Sequence, residues 1–249
     1  MNAYGLIGRT LVHSISPEIH ALLGLPGYAK IELSEDELAA FFVKRAYAGC
    51  NVTIPYKEKV FPFLARISDE ARAIGAVNTL VLTAEGYVGY NTDAGGMTYA
   101  LSKAGIDVEG KDVLILGTGG TSKTAEFVAK NLGASSVQKV GRTSMINYEN
   151  VYEQTKTQVI LNTTPVGMFP DVNASPVDPS RFPCLTGVFD CIYNPTPTRL
   201  VAECRKCGIP AENGLFMLVE QARLAEELFL NTSLSPSLTD EVVKKLKNR

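Results

Sequence analysis

Two residues far apart in the chain, Lys57 and Asp93, offer the most direct route to chemistry. Lys57 follows a β-type run, Val52-Thr53-Ile54, that stops at Pro55, so the stretch reads as strand, sharp corner and helix with the lysine at the corner. Asp93 closes Asn91-Thr92-Asp93 ahead of a helical run, where it reads either as a plain N-cap or as the carboxylate partner of an ammonium. A lysine in solution holds its proton to about pH 10.4, so acid–base work near neutrality requires burial or charged neighbours. A second polar group is His13-Ser14-Ile15-Ser16-Pro17. In an extended segment Ser14 and Ser16 point the same way, and both hydroxyls suit one carboxylate beside a helix start. Ser16 is equally the obvious N-cap, with Pro17 at the first helical position. His13 and His20 are the only histidines, and no third ligand type at matching spacing argues for a metal.

A glycine cluster, Gly117, Gly119 and Gly120, lies between the apolar run Val113–Leu116 and the helical pattern 122–131. Glycines there let the chain turn tightly and let backbone amides approach a pyrophosphate at a positive helix end. The spacing G-x-G-G departs from G-x-G-x-x-G, and a plain strand–helix turn is the competing reading. About 25 residues on, where an NAD-preferring fold carries Asp or Glu for the ribose 2′-hydroxyl, stands Arg142 with Thr143 beside it. A guanidinium and a hydroxyl suit a 2′-phosphate, which favours NADP; a solvated surface arginine is the alternative.

The elements that must carry these residues fall into two rhythms. Up to about residue 96, strand and helix signals are mixed. Strands are expected at 4–8, 51–54, 78–82 and 86–90, with helices opening at Ser16-Pro17 and after the capping box Ser34-Glu35-Asp36-Glu37. From Lys111, strands at 113–116, 136–140, 158–162 and 187–193 alternate with helices, which predicts a doubly wound α/β sheet. The stretch 214–249 reads as helical and is expected to pack back on the first domain, making that domain discontinuous: 1–96 plus 214–249, around 97–213. A chain of 249 residues, 45% hydrophobic, can fill two such domains. Its net charge of −2, with both signs interspersed, points to no nucleic acid and no anionic membrane. The opening MNAYGLIGRT has no signal-peptide pattern and no apolar run nears the ~18 residues of a span, so a cytoplasmic, soluble protein is expected. Five cysteines without framework spacing fit reduced thiols, and Cys204 and Cys207 read as ordinary residues on one helix face.

Taken together, HSISP, NVTIPYK, AIGAVNTL, GYNTD, LGTGGTSKT, GRT, NTTPVGM, DCIYNPTPT and GLFMLVEQA occur in the order found in the shikimate dehydrogenase family, and the chain resembles it over almost its whole length. The resemblance implies an α/β enzyme with a substrate domain and a Rossmann-like domain. It implies reduction of 3-dehydroshikimate to shikimate with NADPH, on the route to aromatic amino acids, by a monomer or homodimer. It casts Lys57 and Asp93 as the catalytic pair and gives the substrate carboxylate to Ser14 and Ser16, with Tyr193 nearby. Thr53, Asn78 and Gln221 would meet ring hydroxyls. Gly117, Gly119, Gly120, Arg142 and Thr143 would hold the dinucleotide, with Thr163, Met168 and Gly214 along its path to the nicotinamide. A quinate/shikimate dehydrogenase using NAD and a non-catalytic ligand-binding homologue are the rival readings. The chain departs from the family pattern at Tyr56, usually His; at Thr10, usually Pro; at Ala21, usually Asn; and at Ile146, often basic. The missing second basic residue predicts a weaker preference for NADP.

Overall fold

Short runs of β-branched and aliphatic residues separated by capped helices set the architecture. In chain order these are β1 (Tyr4–Gly8), α1 (Ser16–Leu23), β2 (Ala29–Glu32), α2 (Leu38–Lys44), β3 (Gly49–Val52), β4 (Arg66–Ile67), α3 (Asp69–Ile74), β5 (Thr79–Leu82), β6 (Tyr87–Tyr90) and α4 (Asp93–Lys103). Then come β7 (Asp112–Leu116), α5 (Gly120–Asn131), β8 (Ser136–Val140), β9 (Val159–Asn162), β10 (Gly187–Asp190), α6 (Arg199–Lys206), β11 (Ala211–Asn213), α7 (Leu215–Leu230) and α8 (Ser237–Lys247). The computed structural model describes residues 3–248. The chain divides into two compact units, Met1–Gly95 with Val219–Arg249, and Gly96–Leu218, so both cuts fall inside helices, α4 and α7.

The first unit holds a mixed sheet in the order β2-β1-β3-β5-β6-β4. β1 pairs parallel with β2 and β3, whereas β5 pairs antiparallel with β3 and β6. The β3–β5 register sets Asn51 opposite Thr79, bringing two polar residues together inside an otherwise apolar sheet. An aromatic core of Phe41, Phe42, Tyr56 and Tyr87 packs with Ile7, Val52 and Leu80.

The second unit is a fully parallel sheet, β11-β10-β9-β7-β8. Its strands β9 and β10 are buried throughout, as a sheet covered on both faces requires. Counted within the unit the order is 5-4-3-1-2. The winding therefore reverses between β7 and β9, and the crevice beyond the strand C-termini at such a reversal is where α/β sheets take ligands.

Several expectations change in detail. No helix follows Pro55. Tyr56 N–H donates to Thr53 O and Val60 N–H to Tyr56 O, giving a chain of turns that ends in a 3₁₀ turn at Phe61–Phe63. The cause is that the Lys57 carbonyl is taken by Val77 N–H at 2.8 Å, out of reach of any helical ladder. Ser16 is not the N-cap of α1; that position is Ile15, and it is the Ser14 hydroxyl that accepts from Ser16 N–H. The capping box forms, with Glu37 accepting from the Ser34 N–H and hydroxyl, but α2 stops at Lys44 because Arg45 turns left-handed at φ 46°. Helix α5 starts at Gly120, two residues earlier than expected, and β10 stops at Asp190. Cys204 is buried in α6 while Cys207 is exposed at its C-cap, so the two thiols do not share a surface. Elements β4, α3 and β11 were not expected at all. Among the described residues no cluster of three or more His, Cys, Asp or Glu could hold a metal ion, and no helix is long and apolar enough to cross a membrane.

Candidate active site

Lys57 sits on the turn after β3 and Asp93 opens α4. Lys57 Nζ donates to Asp93 Oδ2 at 2.6 Å, with the side chains only 15% and 8% exposed. Asp93 does not cap its own helix: Asn91 Oδ1 accepts from Ala94 N–H at 3.2 Å, while Asn91 Nδ2 is anchored on Ala76 O. The carboxylate is thereby left for the ammonium, and the short charge-assisted bond fixes where Nζ points.

Beside this pair lies a buried polar floor. Asn78 Oδ1 accepts from Thr92 N–H at 2.7 Å and from Thr79 Oγ1 at 3.0 Å. Its Nδ2 donates to Thr92 Oγ1 at 3.0 Å and to Gln221 Oε1, on α7, at 3.3 Å. Asn78 follows Val77, whose N–H holds the Lys57 carbonyl, and Thr92 precedes Asp93. Two backbone links thus tie the floor to the pair. Ser14 Oγ donates to Ser16 Oγ at 3.1 Å, so those hydroxyls do meet on one spot. Thr53 is half-buried at the end of β3, with its N–H on Ile7 O. Thr92, Asn91 and Asn51 were not singled out from the sequence. Their signal was available: each is a polar residue next to a β-type run, and each is buried.

In the second unit the glycines act differently from one another. Gly117 sits at φ +112°, and a Cβ there would lie 2.5 Å from Thr163 Oγ1, so only glycine fits. Gly119 is the extended N-cap of α5, and a Cβ on it would meet nothing within 4 Å. Gly120 is the first helical residue, which leaves the first-turn amides of α5 around open space. Thr163 Oγ1 donates to Leu116 O at 2.6 Å, holding the β9 loop against the β7 loop. Arg142 and Thr143 are exposed just past β8, where Gly141 abuts Thr118 of the glycine loop. Ile146 is a partly buried apolar side chain packed against the core of this unit, and it offers no charge to a phosphate.

Asp190 gathers the remaining loops. It accepts from Asn162 Nδ2, Ile192 N–H and Thr198 Oγ1 at 2.8–3.1 Å, and burial pushes its carboxyl up to about 6 against those three donors. Ile192 in turn accepts from Gly214 N–H, and Gly214 lies so near Cys191 O that a Cβ would sit 2.1 Å from it. Tyr193 is half-buried, its phenol pushed up by burial. Met168 is exposed at 45%. An open, amide-lined helix start, a neighbouring exposed guanidinium and glycines where side chains cannot fit form a set that suits a phosphorylated dinucleotide.

Residues 6–80 match the family model described as the shikimate dehydrogenase substrate binding domain. The shikimate dehydrogenase (NADP(+)) of Caldicellulosiruptor saccharolyticus is 36% identical over 273 residues, covering 98% of each chain. A chorismate mutase/shikimate 5-dehydrogenase fusion protein from Clostridium acetobutylicum superposes with a TM-score of 0.94 at 36% identity, over 100% of this chain and 97% of the other. A shikimate 5-dehydrogenase from Thermus thermophilus, solved with NADP(H) and shikimate, gives a TM-score of 0.86 at 31% identity over 98% and 99%. With similarity of this extent along the whole chain, and the Lys57–Asp93 pair, polar floor and glycine turn in place, the chain belongs to the shikimate dehydrogenase family.

Proposed function

We propose that this chain is an NADP-dependent shikimate dehydrogenase, interconverting 3-dehydroshikimate and shikimate on the route to aromatic amino acids. The observation that carries the reading is the Lys57–Asp93 hydrogen bond beside the Asn78–Thr92–Gln221 floor. When bound, NADPH supplies the hydride. The chain's own work is to hold the ring and manage one proton. Lys57, as an ammonium, gives a proton to the carbonyl oxygen as that oxygen gains negative charge, and takes it back in the reverse direction. Asp93 keeps Nζ aimed. Ser14 and Ser16 grip the carboxylate, Thr53, Asn78 and Gln221 bond ring hydroxyls, and Tyr193 is a further candidate for substrate binding. Analogues lacking a hydroxyl would leave those buried groups unpaired. Gly117, Gly119 and Gly120 take the pyrophosphate, Arg142 and Thr143 the 2′-phosphate, and Thr163, Met168 and Gly214 line the way to the nicotinamide. Five free thiols fit a reducing, cytoplasmic setting.

Steady-state kinetics with shikimate or quinate, each with NADP or NAD, tests the reading. Shikimate with NADP is expected to give the highest kcat/KM. With an uncharged Ile146 packed against the core, Arg142 has no second basic residue three positions after Thr143, so the margin over NAD is expected to be modest. No NADP reduction with shikimate, despite binding, would leave a ligand-binding homologue instead.

A further inference from the structure

The loop 9–15 joins β1 to α1 and carries Ser14 up to Ser16, the first residue of the helix. Side chains of β2, the edge strand beside β1, and of the turn after it reach across to this loop. Glu32 Oε1 accepts from Leu11 N–H at 2.5 Å, and Lys30 Nζ donates to Val12 O at 3.1 Å. Beyond β2, Glu35 Oε2 lies 3.7 Å from Arg9 Nη2. Charged side chains on an edge strand ordinarily discourage pairing with another chain. That use does not explain why Lys30 and Glu32 both turn onto the backbone of one loop.

The three contacts are unequal. Arg9 with Glu35, and Lys30 with Val12, are exposed, where water competes and such contacts contribute little. The Glu32 bond is short, charge-assisted and made to the N–H of Leu11, a buried residue. Leu11 is also where the loop is seated. Its side chain lies over Gly8, where a Cβ would come 2.6 Å from Leu11 Cδ2 and 2.8 Å from Thr53 Cγ2. Leu11 and Thr53 thus share the space above one glycine. From Leu11 the connection to the paired hydroxyls is short. Leu11 O accepts from Ser14 N–H at 3.0 Å. Ser14 Oγ then accepts from Ser16 N–H at 3.3 Å and donates to Ser16 Oγ at 3.1 Å.

We infer that Glu32 is a positioning residue for the substrate carboxylate: by holding Leu11 N–H it fixes the turn Leu11–Ser14 on which the two hydroxyls stand. The consequence for activity rests on the function proposed above, in which Ser14 and Ser16 grip that carboxylate. Without the Glu32 acceptor the turn gains freedom, and the hydroxyls must be ordered by the ligand itself. The cost falls on binding shikimate rather than on the proton step at Lys57.

Glu32 is exposed, so its variants are expected to fold. Glu32→Ala is expected to raise KM for shikimate about fivefold, the net scale of one hydrogen bond, with kcat and KM for NADP unchanged. Backbone hydrogen exchange at Leu11 and Ser14 should quicken in the same variant. Glu32→Gln, which still accepts from Leu11 N–H, should recover most of the loss in both measurements. Lys30→Met should keep KM for shikimate within about twofold of wild type, as an exposed contact implies. The inference is overturned if Glu32→Ala lowers Tm without moving KM for shikimate, or if both KM values rise alike. It is also overturned if the loss persists in Glu32→Gln, which would assign it to charge rather than to the bond. Wild-type enzyme inert toward shikimate would sink the proposed function instead, and exchange at Leu11 would still decide whether Glu32 holds the turn.

Discussion

Lys57 and Tyr56 are chain neighbours that the turn after Pro55 sends opposite ways. Tyr56 goes fully into the aromatic core and donates its hydroxyl to Leu33 O, while Lys57 emerges half-buried onto Asp93. The tyrosine where the family usually has histidine is thus a core residue whose polar end is satisfied by backbone. It leaves the acid–base pair intact. Lys57→Ala is expected to lower kcat by about 10² to 10⁴-fold, the span typical of a positioned general acid, with KM for shikimate much less changed. Turnover within about tenfold of wild type would remove Lys57 from proton transfer. At this scale the sequence was informative about residue type and poor about competition for roles. Whether Asp93 capped α4 or met the ammonium, and whether Ser16 capped α1, depended on where each oxygen's partner stood in space.

At the scale of elements, the β7–α5 turn separates two reasons for glycine that look the same in a sequence. Gly117 is required by the fold, since its φ of +112° and the Thr163 hydroxyl exclude a side chain. Gly119 has an ordinary extended backbone and open space over its Cα. Gly117→Ala is therefore expected to destabilise the protein by about 1–2 kcal/mol from backbone strain alone, with a further loss from the clash, and to weaken NADP. Gly119→Ala should cost only about 1 kcal/mol in urea unfolding, the loss of glycine as the better N-cap with no clash to add to it, yet raise KM for NADP about tenfold by filling phosphate space. If the Gly119 variant bound NADP as wild type does, the helix start would not be the pyrophosphate site. The turn itself was legible as strand–glycine–helix. The early start of α5 was not, because glycine's low helix propensity argued against placing it inside the first turn.

Across the whole molecule, periodicity and capping exposed the strands, yet the links that assemble the polar networks span 143 residues from Asn78 to Gln221 and 206 from His20 to Glu226. No local pattern carries such pairings, since they depend on where α7 packs; family motif order was the only sequence signal for Gln221. Asp190 was likewise invisible, reading only as a residue inside the strand expected at 187–193. In the structure it joins the β9 loop through Asn162, the chain after β10 through Ile192, and the start of α6 through Thr198. Its consequence is a pH dependence of global stability. The unfolded carboxyl titrates near ~3.9, whereas burial holds the folded one at about 6. Between those values the native state binds the extra proton, so stability falls as pH rises. The contribution is fully present below about pH 4 and lost above the folded value, a change on the order of 3 kcal/mol. Urea unfolding of wild type and Asp190→Asn at pH values from about 4 to 8 isolates it. The stability difference between the two should shift in favour of the asparagine variant as pH passes through about 6 and then level off. A pH-independent difference would mean that the three donors, rather than burial, govern the carboxylate.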